Sequence, residues 1–158
     1  MGYIVNVAAA IAAATADDRA SGRVDNVGEE AALRVENRVP EIAAAAHAAD
    51  RAVMLGAYTP TEAQLAHEAG SDFIKIFPAD GLGPAYIKAI RAPLPHLRIV
   101  PTGGVDLHNI RDFIQAGCAA VGVGSTLVSR QILADADWPA LTALAAKFVE
   151  AIRQARTP

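Results

Sequence analysis

From about residue 50 onward, short apolar runs rich in β-branched residues alternate with longer segments of helical period. The runs are "RAVMLGAY", "DFIKIFP", "LRIVPTGGV" and "AAVGVGST". The helical segments between them are well punctuated. Thr59-Pro60-Thr61-Glu62 reads as a capping box with proline in the first turn, and the helix "PTEAQLAHEA" should stop at Gly70. "GPAYIKAIRA" predicts a shorter helix closing before Pro93, and Asp106 should cap "LHNIRDFIQA", which ends at Gly117. The tail "DWPALTALAAKFVEAIRQAR" places Leu141, Leu144, Ala145, Phe148 and Ile152 on one face and predicts an amphipathic covering helix.

Strands that recur every 20–25 residues or so, each followed by a helix, predict parallel βαβ units. An open doubly wound sheet and a (β/α) barrel both suit that order. The glycines choose between them. No G-x-G-x-x-G follows a first strand, whereas Gly103-Gly104 and Gly122/Gly124 follow the last two. Barrels commonly build a phosphate site from their last two βα loops. The expected fold class is therefore α/β, a (β/α)8 TIM-barrel type.

Residues 1–49 fit this scheme poorly. "YIVNV" and "AALRVENRVP" each suggest a strand, and "PEIAAAAHAA" a helix, but "TADDRASGRVDNVGEE" between them has no clear period. A full eight-stranded barrel usually takes at least about 200 residues, and this chain has 158. The expectation is one domain over residues 1–158, with well-formed βα units over 50–158 and an atypical segment over 1–49. That makes the barrel incomplete or truncated at its N-terminus.

Composition narrows the partners. A net charge of −3 and no cluster of Lys or Arg disfavour nucleic acid or an anionic membrane as a partner. A local pocket for a small phosphorylated anion remains compatible with an acidic chain. The single cysteine, Cys118, lies in apolar "QAGCAAVGVG" and reads as a buried structural thiol. The opening "MGYIVNVAAAIAAATA" has no basic n-region, so a cytoplasmic protein is expected. His47, His67, His96 and His108 show no metal-ligand spacing, so no metal is expected.

The candidate chemistry centres on "DFIKIFPAD". Alternation puts Phe73, Lys75 and Phe77 on one strand face and Ile74 and Ile76 on the other. In a barrel the isoleucines meet the helices and the lysine faces inward. Burial there lowers a lysine pKa and leaves a neutral amine able to form a Schiff base with a ketone. The plainer alternative is a lysine that snorkels or pairs with Asp72 or Asp80. "PTGGV" and "GVGST" end strands in glycines whose N–H groups, with the Ser125 hydroxyl and a following helix N-terminus, suit a phosphate. The alternative is tight turns that need glycine for conformation only. Thr126, beside Ser125, has no evident base, so a serine-type nucleophile is not supported.

"LGAYTPTEA", "DFIKIFPAD…LGPAYIKAI", "IVPTGGV…NI" and "AGCAAVGVGSTL" together resemble the 2-dehydro-3-deoxy-6-phosphogluconate/4-hydroxy-2-oxoglutarate aldolases (KDPG/KHG aldolases), over roughly residues 50–155. The resemblance implies a cofactor-free class I aldolase on a (β/α)8 barrel, assembled as a homotrimer. It implies cleavage of a 2-keto-3-deoxy-6-phospho sugar acid to pyruvate and glyceraldehyde 3-phosphate. By position Lys75 is similar to the Schiff-base lysine, with Phe77 and Pro78 beside it and Thr102 near the pyruvate end. Gly103, Gly104, Gly124 and Ser125 resemble the phosphate loop. Val123 stands where gluconate-type members often have a second glycine, which with "GPAYIKAI" is closer to the galactonate-type branch. The family's early E-x-T-x-R and G-A-G-T patterns do not occur in residues 1–50. Glu36, in "RVENRVPE", is a conceivable substitute for the proton-shuttling glutamate, and the plainer reading is a surface carboxylate on a degraded or rebuilt segment. Without such a glutamate, a catalytically impaired barrel fragment that binds phosphate or only assembles is the rival reading. A thiamine-phosphate-synthase-like barrel is a weaker one, since it gives Lys75 no task.

Overall fold

A computed structural model describes residues 40–157. The element order is α1 (Pro40–Ala48), β1 (Met54–Ala57), α2 (Pro60–Glu68), β2 (Phe73–Ile76), α3 (Gly83–Arg91), β3 (Ile99–Pro101), α4 (Ile110–Gln115), α5 (Arg130–Asp135) and α6 (Trp138–Arg156). The suggested strands at "YIVNV" and "AALRVENRVP" lie outside the described residues, as does Glu36.

The three strands form one parallel sheet in the order β1-β2-β3. Helical crossovers are what parallel neighbours require, and α2 and α3 supply them. The capping box forms as expected. Glu62 N donates to Thr59 Oγ1 at 3.3 Å, and Thr59 N donates to Glu62 Oε2 at 2.8 Å. Past the end of α2, Gly70 takes φ +93°, a left-handed turn that side chains disfavour. The tail helix α6 starts at Asp137, whose Oδ1 accepts from Ala140 N at 3.0 Å. It buries Phe148, Ile152 and Ala155 and packs along α4.

Register settles which residues share a face. Leu55 stands beside Ile74, which stands beside Ile99; Ala57 stands beside Ile76, which stands beside Pro101. Apart from the partly buried Ala57, these residues are buried and join the core with Ala63, Ala66, Ile87, Ile90, Ile110 and Phe113 of the helices. Each fully buried isoleucine stabilises the fold by about 1.5–3 kcal/mol. On the opposite face, Gly56, Lys75 and Val100 form one row.

Three expectations are corrected. "AAVGVGST" does not form a strand; it contributes a single parallel bridge, Gly122 to Thr102. Gly122 and Gly124 bring no side chains to a ladder. The Gly124 carbonyl also accepts from Leu127 N and Val128 N, each at 2.9 Å, which turns the chain away. Asp106 caps the turn ahead of α4 rather than the helix itself, with its Oδ1 taking His108 N and Asn109 N. The short helix α5 was not expected, although Ser129 is a conventional N-cap whose Oγ accepts from Ile132 N at 3.2 Å.

Candidate active site

Lys75 occupies the third position of β2, between Gly56 on one neighbouring strand and Val100 on the other. It is half-buried, not sealed in. The burial expected from the strand pattern is therefore only partial. The Lys75 Nζ lies 5.0 Å from the centroid of the Phe77 ring. Of the two carboxylates proposed for it, Asp72 is engaged at the other end of the strand. Its Oδ2 accepts from Val53 N at 2.8 Å and lies 2.8 Å from His47 Nε2.

The loop leaving β2 runs hard against the loop leaving β3. Thr102 N donates to the Ile76 carbonyl and Ala79 N to the Thr102 carbonyl, both at 2.9 Å. Gly103 and Gly104 take φ +87° and +72°, the left-handed region. A Cβ on Gly103 would come within 2.9 Å of Phe77 Cε2, and one on Gly104 would overlap Asp80 Cβ. Glycine is thus needed at both positions for conformation and for close approach. Phe77 and Pro78 are placed at this end of β2, with Phe77 half exposed to solvent.

Thr102 is buried, and among the described residues its Oγ1 has no hydrogen-bond partner. A Cβ on Gly122 would overlap that same oxygen. A buried hydroxyl left unpaired costs about 1–3 kcal/mol. By strand alternation Thr102 follows Val100 on the lysine's side of the sheet.

The two glycine turns are tied together. Thr126 Oγ1 donates to the Val105 carbonyl at 2.7 Å and makes that tie, while Asn109 Nδ2 braces the first turn from within, donating to the Gly104 carbonyl at 2.8 Å. Asn109 Oδ1 in turn accepts from Asp106 N at 3.0 Å. Among the described residues, no acceptor takes the N–H of Gly104, Gly124 or Ser125. Ser125 is exposed, at the start of the turn that Gly124 closes. The expected helix N-terminus is not directly behind it, because α5 begins only at Arg130. Sequence reasoning missed Asn109 and the linking role of Thr126. The reciprocal Asp106-x-x-Asn109 spacing was a usable signal for the first; nothing local announces the second.

His67 and His96 stand apart from this end of the sheet in their bonding. His96 Nε2 lies 2.9 Å from Gln64 Oε1, and its ring meets that of His67 with centroids 4.8 Å apart. Among the described residues, no group of three or more His, Cys, Asp or Glu could hold a metal ion. No described helix is long and apolar enough to cross a membrane.

Comparison with known proteins identifies a family. The family model described as KDPG and KHG aldolase matches residues 22–144. The 2-dehydro-3-deoxy-6-phosphogalactonate aldolase of Escherichia coli (strain K12) is 43% identical over 101 residues, 63% of this chain and 47% of that protein. A 2-dehydro-3-deoxy-phosphogluconate aldolase of Haemophilus influenzae is 32% identical over 99 residues, 62% of this chain and 47% of that protein. Among solved structures, one described as native KDPGal matches with a TM-score of 0.64 and 38% identity, covering 74% of this chain and 55% of that one. The chain spans about half the length of the curated relatives it matches.

Proposed function

The chain belongs to the KDPG and KHG aldolase family, and on that premise we propose that it is a class I aldolase with Lys75 as the Schiff-base nucleophile. The observation that carries this reading is the placement of Lys75. It lies on the sheet face opposite the buried isoleucines, on a strand whose exit loop packs onto Gly103 and Gly104.

The chemistry follows from an amine beside a keto acid. Lys75 Nζ attacks the C2 ketone of a 2-keto-3-deoxy-6-phospho sugar acid, and water leaves to give an iminium. The C3–C4 bond then breaks and its electron pair moves toward the iminium nitrogen, giving an enamine. The C4 hydroxyl loses its proton and becomes the aldehyde of glyceraldehyde 3-phosphate. Protonation of the enamine at C3 and hydrolysis release pyruvate and restore the amine. Thr102 Oγ1 serves the pyruvyl end. The N–H groups of Gly104, Gly124 and Ser125 receive the phosphate, with Gly103 setting the turn. Phe77 and Pro78 wall the lysine. The higher identity to the galactonate enzyme supports the galactonate-type substrate. A (β/α)8 barrel and a homotrimer, as the family resemblance implies, are the proposed architecture.

Incubation with pyruvate and borohydride should add one reduced pyruvyl group, mapped to Lys75. Folded protein that takes up no adduct would refute the Schiff-base assignment. A coupled assay for glyceraldehyde 3-phosphate then separates a working aldolase from a chain that forms the adduct without turnover.

A further inference from the structure

On the strength of the Lys75 reading, we propose that Asp80 is a specificity-determining residue that accepts a hydrogen bond from a substrate hydroxyl between the reacting ketone and the phosphate. Asp80 lies on the loop that leaves β2, after the lysine, and is pressed onto the glycine turn that leaves β3. Its Cα would lie 3.0 Å and its carboxyl carbon 3.1 Å from a Cβ placed on Gly104. The approach is held by the Ala79 N to Thr102 carbonyl bond one residue earlier. The carboxylate is oriented as well, since its Oδ1 accepts from Gly81 N at 2.9 Å.

Asp80 follows the lysine by five residues and touches Gly104, so it adjoins both the strand assigned to the iminium and the turn assigned to the phosphate. The iminium forms on β2, and the phosphate is received at Gly104 and beyond. The carbons that span the gap carry hydroxyls. An ionised carboxylate only accepts hydrogen bonds, so it cannot contact a phosphate oxygen favourably and repels that dianion nearby. A substrate hydroxyl is the donor that matches it, in a charge-assisted bond. Gluconate- and galactonate-type substrates differ in the configuration of the C4 hydroxyl, so one fixed acceptor on this side of the site distinguishes them.

The test compares wild-type, Asp80→Asn and Asp80→Ala chains on both C4 epimers of the 2-keto-3-deoxy-6-phospho acid, with pyruvate–borohydride trapping in parallel. The asparagine variant keeps the side-chain shape against Gly104, so it reports on charge without disturbing the turn. For the preferred epimer kcat/KM should fall about 10- to 100-fold in Asp80→Ala, as expected for loss of a hydrogen bond to a charged group, and by less in Asp80→Asn, whose amide oxygen still accepts without the charge. The ratio between epimers should move toward one. Pyruvate carries no hydroxyl at those carbons, so trapping at Lys75 should persist. Trapping with an unchanged epimer ratio overturns the role of Asp80 alone. A lowered KM for both phosphorylated epimers also overturns it, by showing a carboxylate that merely repels phosphate. A wild-type chain that traps no pyruvate overturns the Lys75 reading and this inference with it.

Discussion

The ring of Phe77 rests on the backbone of Gly103, and the same ring lies under the Lys75 amine, 5.0 Å from centroid to Nζ. One aromatic side chain therefore couples the lysine strand to the glycine turn. Gly103→Ala should displace that ring, because its new Cβ would meet Phe77 Cε2 at 2.9 Å. The φ of +87° adds a backbone penalty of about 1–3 kcal/mol. We expect a lowered Tm and a rate of pyruvate–borohydride trapping reduced about tenfold or more. Unchanged trapping would show that the contact does not position the lysine.

Thr102→Val separates stability from function. It replaces a buried hydroxyl that has no partner among the described residues with a methyl group of similar shape. Removing an unsatisfied buried polar atom should hold or raise the unfolding free energy, by up to about 1–3 kcal/mol, and the Tm with it. If the hydroxyl serves the pyruvyl end, kcat/KM should drop about tenfold in the same variant. A fall in both quantities would instead mean that Thr102 is a packing residue.

Thr126→Val removes the 2.7 Å bond from Thr126 Oγ1 to the Val105 carbonyl, the tie between the two glycine turns. A loss of about 0.5–1.5 kcal/mol in unfolding free energy is expected. The KM for the phosphorylated substrate should rise several-fold, while trapping of pyruvate, which has no phosphate, changes little. Equal effects on both reactions would dissociate this tie from phosphate binding.

Cys118 gives a pH prediction. Burial pushes its thiol up to about 12 from a usual value near 9, against a smaller opposing effect of Arg91. The thiolate is favoured only after unfolding. Below about pH 9 both states hold the proton and the group is neutral for stability. Between about pH 9 and 12 the unfolded chain binds fewer protons, so stability falls as pH rises. Iodoacetamide at pH 8 should label Cys118 slowly in native protein and rapidly in urea. Fast native labelling would contradict this burial.

Much of the outline was legible because local rules produced it. The Thr59–Glu62 capping box, the stops at Gly70 and before Pro93, and the apolar stripe through Phe148 and Ile152 each depend on residues within a few positions of one another. The face on which Lys75 lies was legible for the same reason, since strand alternation has a period of two. The "AAVGVGST" run failed as a strand because apolarity does not measure what a ladder needs. Glycines at 122 and 124 and a turn closed by the Gly124 carbonyl left one bridge.

The residue pattern by itself determined the parallel βα order, the lysine's face and the family resemblance, because side-chain period, caps and glycine placement act along the chain. Only the tertiary structure decided how deeply Lys75 is buried, that Asp72 is engaged elsewhere, and that Phe77 and Asp80 press on Gly103 and Gly104. It also decided that Thr126 ties the second glycine turn to the first. Those facts depend on strand register and on contacts across intervening helices, where a neighbour in space is some 20 or more residues away in sequence. No local period encodes such a distance.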